Sequence, residues 1–161
     1  MHIRIALFAL WAGVSQPALA DLSGRVVGVR DGDTLTLRVE GKDVRVRLDA
    51  VDAPELGQPY GKSARRSLAE LCRGKNATVV ERGKDDEGRT LGSVRCGSVD
   101  ANAEQVRRGM AWVSLRYVPL GSPLYEAEAS ARLQKIGLWR GKEPVPPWEW
   151  RARSAKSAGK S

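Results

Sequence analysis

Gly24-Arg25-Val26-Val27-Gly28-Val29-Arg30-Asp31-Gly32-Asp33-Thr34-Leu35-Thr36-Leu37-Arg38-Val39 is the stretch whose reading decides the fold. Apolar residues alternate on both sides of Asp31-Gly32-Asp33, the pattern of two half-buried strands joined by a tight turn. After a second turn at Glu40-Gly41-Lys42-Asp43, the segment Val44-Arg45-Val46-Arg47-Leu48 sets apolar side chains on one face and arginines on the other. A period of two is the period of a strand, so three consecutive strands form a meander.

Outward from the meander, Pro54 breaks the pattern, and Ala64, Leu68, Leu71 and Cys72 recur at helical spacing, which predicts a helix over 62–72. Residues 77–81 and 91–96 read as two more strands, separated by a polar loop over 83–89. Helices are predicted over 102–108, ending at Gly109, and over 123–136, ending at Gly137. In the second of these, Leu124, Ala127, Ala129, Ala131, Leu133 and Ile136 are expected to face the sheet. The fold class is therefore α+β and mainly β: five short strands closing into an OB-type barrel, with three flanking helices. Residues 151–161 are basic and low in complexity, and they are expected to be a disordered tail.

At the other end, Met1-His2-Ile3-Arg4 is positively charged, an apolar run covers 5–14, and Ala18-Leu19-Ala20 has the small residues that a signal peptidase cuts after. Residues 1–20 read as a signal peptide. A membrane anchor is the alternative, but the run is about half of the roughly 20 residues that span a bilayer. The expected product is one domain over 21–150, exported to the periplasm or secreted, monomeric, and free of the membrane after cleavage.

Over 161 residues, 27 Lys and Arg stand against 19 Asp and Glu, a net charge of +8 that suits an anionic partner such as nucleic acid. The one histidine, His2, lies in the leader. The body of the chain therefore cannot build Ser-His-Asp or Cys-His catalysis, a histidine general acid or a histidine-bearing zinc site. Carboxylates, basic groups, hydroxyls and a hard metal ion remain. Cys72 and Cys96 are an even number in an exported chain and are expected to form a disulfide, the alternative being two buried thiols.

Five residues at strand ends and in loops carry the chemistry: Asp33 in Asp-Gly-Asp-Thr, then Arg47, Asp52 and Glu55 in Arg47-Leu-Asp-Ala-Val-Asp52-Ala53-Pro54-Glu55, then Arg89 after Gly88. Asp-Gly-Asp-Thr alone is an ordinary turn. Val51-Asp52-Ala53-Pro54-Glu55 is more specific, because an apolar strand runs into two carboxylates around a rigid proline, and their repulsion asks for a cation or an arginine. A solvated loop with a surface ion pair is the plain alternative.

At these residues the chain resembles the staphylococcal nuclease (thermonuclease) family, which combines Asp-Gly-Asp-Thr, Arg-Leu-x-x-x-Asp-x-Pro-Glu and a later Gly-Arg in this order. The similarity extends through Tyr60-Gly61, Val99–Ala111 and Gly137-Leu138-Trp139, and Pro144–Arg151 looks like the end of bacterial members. The resemblance implies an OB-type barrel and a calcium-dependent endonuclease that hydrolyses DNA and RNA and leaves 3′-phosphate ends. It also implies one Ca2+ on Asp33, Asp52 and the Ala53 backbone carbonyl, Glu55 as general base, Arg47 and Arg89 on the phosphate, and Tyr117 in the nucleotide pocket. Calcium's preference for six to eight oxygens and the bidentate fit of guanidinium to phosphate agree with those roles.

The chain departs from the prototype in several places. Only Leu56-Gly57-Gln58-Pro59 separates Glu55 from Tyr60, where many members carry a longer basic loop. Asp86 and Glu87 stand where the prototype has a lysine and a tyrosine, and Leu115 replaces a second tyrosine. Asp49 is an added carboxylate, read as an exposed aspartate or a partner for a nearby arginine. Trp112 and Trp139 are expected in the core. The rival readings are a noncatalytic nucleic-acid-binding module on the same fold, which would have no use for all five residues, and an exported basic adhesin, which would leave the carboxylates unexplained.

Overall fold

The computed structural model describes residues 21–114 and 118–158, so the segment over 1–20 expected to be a signal peptide lies outside the described residues. In chain order, the strands β1 (Asp21–Val29), β2 (Thr34–Val39) and β3 (Lys42–Leu48) are followed by the two-residue β4 (Val51–Asp52) and the helix α1 (Gly61–Cys72). Then come β5 (Asn76–Lys84), β6 (Thr90–Cys96), the short β7 (Val99–Asp100), α2 (Ala101–Arg107) and the short β8 (Trp112–Val113). The chain continues through α3 (Pro123–Leu133), a 3-10 turn over Gly137–Arg140 and α4 (Pro147–Ala158).

The five longer strands run in the order β3-β2-β1-β5-β6, and a pairing of β3 with β6 closes them into a barrel. That closing pair is parallel, with Arg47 opposite Leu91 and Leu48 opposite Gly92; the other four pairings are antiparallel. The alternation in the sequence has its cause here. Leu35 and Leu37 of β2 and Val46 and Leu48 of β3 are fully buried and point into the barrel with Val26, Val79 and Val94. Helix α1 covers the barrel with Ala64, Leu68 and Leu71, and burying a leucine of this kind contributes roughly 2 kcal/mol. A disulfide joins Cys72, at the end of α1, to Cys96, at the end of β6.

Three expectations need correction. Helix α3 ends at Leu133 rather than at 136, because Lys135 takes a left-handed φ of 52° and the chain turns away there. Leu133 is consequently 85% exposed, and only Ala131 of that helix is buried. Third, the segment from 151 is not a disordered tail as far as Ala158: it continues α4, so four α-helices flank the barrel instead of three. Composition misled because alanine, arginine and lysine read as low complexity yet are strong helix formers. Pro147 presets the first turn, Glu149 lies near the positive helix end, and Arg153 pairs with Glu149 at 3.1 Å one turn on.

A second apolar cluster anchors this end of the chain. Trp112 and Trp139 are both buried and meet edge to face with ring centroids 5.3 Å apart, and Trp148 of α4 reaches Trp112 at 6.5 Å. No helix among the described residues is long and apolar enough to cross a membrane.

Candidate active site

The turn between β1 and β2 places Asp33 against the segment that follows β4. Its carboxylate accepts the Ala53 N–H at 2.9 Å through Oδ2 and the Thr34 hydroxyl at 3.0 Å through Oδ1. The turn can sit this deep because residue 32 is glycine, since a Cβ there would lie 2.6 Å from the Cβ atoms of both Ala53 and Ala64. Gln105, fully buried on α2, donates from Nε2 to the carbonyls of Gly32 and Ala64 and locks the turn onto α1. Burial pushes the Asp33 carboxyl up to about 7; Arg47 opposes the shift, and Asp31 and Asp52 add to it.

Arg47 stands opposite Thr34 in the β2–β3 register, which brings its guanidinium to Asp33 (3.4 Å) and to Asp52 (2.9 Å). Burial disfavours its charge, but the two aspartates outweigh that cost and the net shift is upward. Between β3 and β4 the chain reverses at Ala50, whose φ of 62° is left-handed, and this delivers Asp52 to the barrel end in a buried position. Glu55 follows, its N–H donating to Oε1 of Gln58 while its carbonyl accepts the Gln58 N–H at 2.8 Å. Gly61 makes room for that loop, because a Cβ there would come within 1.9 Å of the Glu55 carbonyl oxygen. The side chain of Glu55 stays 42% exposed and faces the cleft.

The cleft has a volume of about 500 Å³ and gathers Asp33, Arg47, Ala53, Glu55 and Arg89, four of them from the barrel end and the last from the loop before β6. Arg89 is held by its own loop: Asp85 accepts its Nε at 2.6 Å and its backbone N–H at 2.9 Å, and Glu87 lies 3.1 Å from its Nη2. Burial would raise the Asp85 carboxyl, but its bonds to Arg89 outweigh this and hold it below the ordinary range.

The structure therefore brings Asp33, Arg47, Asp52, Ala53, Glu55 and Arg89 to one place. The predicted Tyr117 and its neighbour Leu115 lie outside the described residues. Asp49 is not an exposed aspartate: it accepts from Ser93 and Asn102, 2.8 Å away in the latter case, and ties β3 to β6 and α2. Its arginine neighbour is Arg82 at 3.7 Å, not Arg47.

The residues fit a hard divalent cation. A desolvated carboxylate, a second buried carboxylate and backbone carbonyls offer oxygen only, and the chain has no histidine beyond His2. Among the described residues no three acidic side chains form a closed cage, so water and a substrate oxygen would complete the shell, as is usual where a cation works on phosphate.

The sequence profile described as staphylococcal nuclease homologue matches residues 45–141, a span that includes Arg47, Asp52, Glu55 and Arg89. The chain belongs to the staphylococcal nuclease family. It is 41% identical to a protein of Shigella flexneri named micrococcal nuclease, over 97% of this chain and 95% of that one. It is 43% identical to an uncharacterised endonuclease of Escherichia coli, over 94% and 97% of the two chains. A probable staphylococcal-like nuclease of rice shares 34% identity over 84% of this chain and 40% of its own length.

Two further residues touch this cluster outside the motifs. Asp85, which grips Arg89, lies in the polar loop over 83–89, and an aspartate four residues before an arginine across Gly88 is the sequence signal for such a grip. Arg151 lies in the segment expected to be a disordered tail. In the structure its Nη2 donates to Oδ2 of Asp52 at 2.8 Å and its Nη1 to Oε1 of Glu55 at 2.7 Å, and these bonds raise its own pKa. Pro147 and Glu149, a helix start followed by a first-turn acid, were the available sign that this segment is ordered.

Proposed function

We propose that this nuclease is a cation-dependent phosphodiesterase that cuts DNA and RNA internally and leaves 3′-phosphate ends, with Ca2+ as its metal. The observation that carries the reading is the cleft in which the buried Asp33, an exposed glutamate and two anchored arginines meet, with the buried Asp52 behind it in contact with Arg47. Asp33 and Asp52, with the Ala53 carbonyl, would hold the cation, which when bound supplies positive charge to a non-bridging phosphate oxygen. Glu55 takes the proton from the attacking water; its exposure gives that water access. Arg47 and Arg89 present planar guanidinium forks to the oxygens of the five-coordinate phosphorus, where charge accumulates. Each is held before substrate arrives, Arg47 by the aspartates beside β3 and Arg89 by Asp85. Export to the periplasm or beyond belongs to the same proposal and is supported by the N-terminal leader pattern and the cysteine pair, and the exported protein is proposed to act as a monomer.

The test is digestion of plasmid DNA, single-stranded DNA and RNA by the purified protein with CaCl2, with MgCl2 and with excess chelator, followed by end analysis of the products. Cleavage that needs Ca2+ and yields phosphatase-sensitive 3′ ends is expected. Undiminished cleavage in chelator after metal removal would sink the site, and DNA binding without cleavage under every cation would favour the binding module.

A further inference from the structure

Among the described residues, Arg151 is the one cation in the cleft that comes from neither the barrel nor its loops; it lies ten residues past the end of the profile match, at the close of the Pro144–Arg151 segment. Its guanidinium bridges two carboxylates from one wall. One nitrogen reaches Glu55 at 2.7 Å and Asp52 at 3.3 Å, and the other reaches Asp52 at 2.8 Å. The helix that carries it is seated from behind: Trp148 packs on Trp112, and the preceding strap is bound where Gln58 donates to the Val145 carbonyl. Gln58 is the same residue that shapes the Glu55 loop through its backbone and its Oε1. The seat of α4 and the position of Glu55 are thus one construction.

Charge explains why the fork belongs there. Asp31, Asp33, Asp52 and Glu55 stand close together, and among the described residues Arg47 is the one cation besides Arg151 that contacts the two buried ones. Like charges in a desolvated setting repel strongly, so a counter-cation at Asp52 and Glu55 stabilises the metal-free site. The arms differ: Asp52 is buried, whereas Arg151 and Glu55 are 44% and 42% exposed. A partly exposed ion pair is weak enough to exchange.

We infer that Arg151 is a positioning residue that stands in for the divalent cation, bridging Asp52 and Glu55 until the metal displaces it. Arrival of a doubly charged ion at Asp52 removes the reason for the guanidinium to stay and frees Glu55 from a partner that opposes its work as a base. This inference rests on the proposed metal site.

Titration of metal alone, CaCl2 into the full protein by calorimetry, separates the two. If Arg151 competes with the cation, R151Q and R151A bind Ca2+ about 5- to 20-fold more tightly than wild type, and R151K falls between them. A helix anchor with no such role gives the opposite sign or no change. The rise in Tm on adding Ca2+ is also larger in R151Q, because its metal-free form has lost the counter-cation while its loaded form has not. Unchanged or weaker Ca2+ affinity in R151Q and R151A, with wild-type binding lost in D52N, overturns this inference and leaves the metal site standing. Binding that D52N does not diminish, or no binding by wild type, overturns both.

Discussion

The two walls of the cleft use the same residue types and solve opposite problems. On the barrel wall, Asp33 and Asp52 are buried and share Arg47, and Arg151 reaches Asp52, so among the described residues the desolvated Asp33 keeps one cation, at 3.4 Å. On the loop wall, Arg89 is matched by Asp85 and Glu87 from the same short turn. Burial raises Asp33 to about 7, while contact with Arg89 holds Asp85 down. The first wall is strained toward taking up a cation. The second is a finished ion pair whose use is to aim a guanidinium. A carboxylate thus invites a cation when folding strips its water without a close partner, and it aims an arginine when folding sets one in direct contact.

The comparison is broken most readily at Glu55, the exposed carboxylate of the barrel wall. Glu55→Gln should lower turnover by about 10² to 10⁴ while leaving substrate KM close to wild type and Ca2+ binding no weaker. A variant that folds, binds Ca2+ and cleaves at the wild-type rate would remove Glu55 from the reaction. Arg47→Lys and Arg89→Lys keep charge and lose the fork, and each should cost about 10² in turnover, more than in substrate affinity. Wild-type turnover in both would show that neither wall holds phosphate.

Asp33→Asn sharpens the comparison through stability. The Asp33 pKa is raised in the fold from 3.8 to about 7, so its contribution to stability is complete below about pH 4 and is lost as the pH rises through about 7. The metal-free wild type should therefore lose about 2 to 4 kcal/mol from this group between pH 4 and pH 8, and D33N should not. Urea unfolding in chelator at pH 8 should find D33N the more stable protein, although inactive and poor at binding Ca2+. Finding it less stable at pH 8 would mean that the barrel wall is not short of positive charge.

The smallest effect is expected on the loop wall. Asp85→Asn leaves Arg89 in place but takes away the carboxylate that fixes its angle, so turnover should fall about tenfold with Ca2+ affinity unchanged. A loss of Ca2+ affinity in D85N would show that the two walls act as one cluster.

Much of this was legible in the chain. The alternation around Asp31-Gly32-Asp33 marked the hairpin because strands half-buried on one face must alternate, and the five site residues were visible because they cluster at strand ends within recognisable motifs. The grip of Asp85 on Arg89 was written within five residues but looked like any polar loop. Asp49 misled because its partners, Ser93 and Asn102, are 44 and 53 positions away.

By itself the sequence determined the strands, the absence of histidine chemistry, the basic charge and the residue types of the site, all of which follow from local periodicity and composition. Tertiary structure alone decided which carboxylates lose their water. Asp33 and Asp31 differ by two positions, yet only Asp33 is buried against Ala53, because Gly32 lets the turn pack on α1. It also decided that Arg151 reaches Asp52 across 99 positions. Desolvation and long-range pairing depend on what the folded chain brings alongside, and no local pattern encodes them.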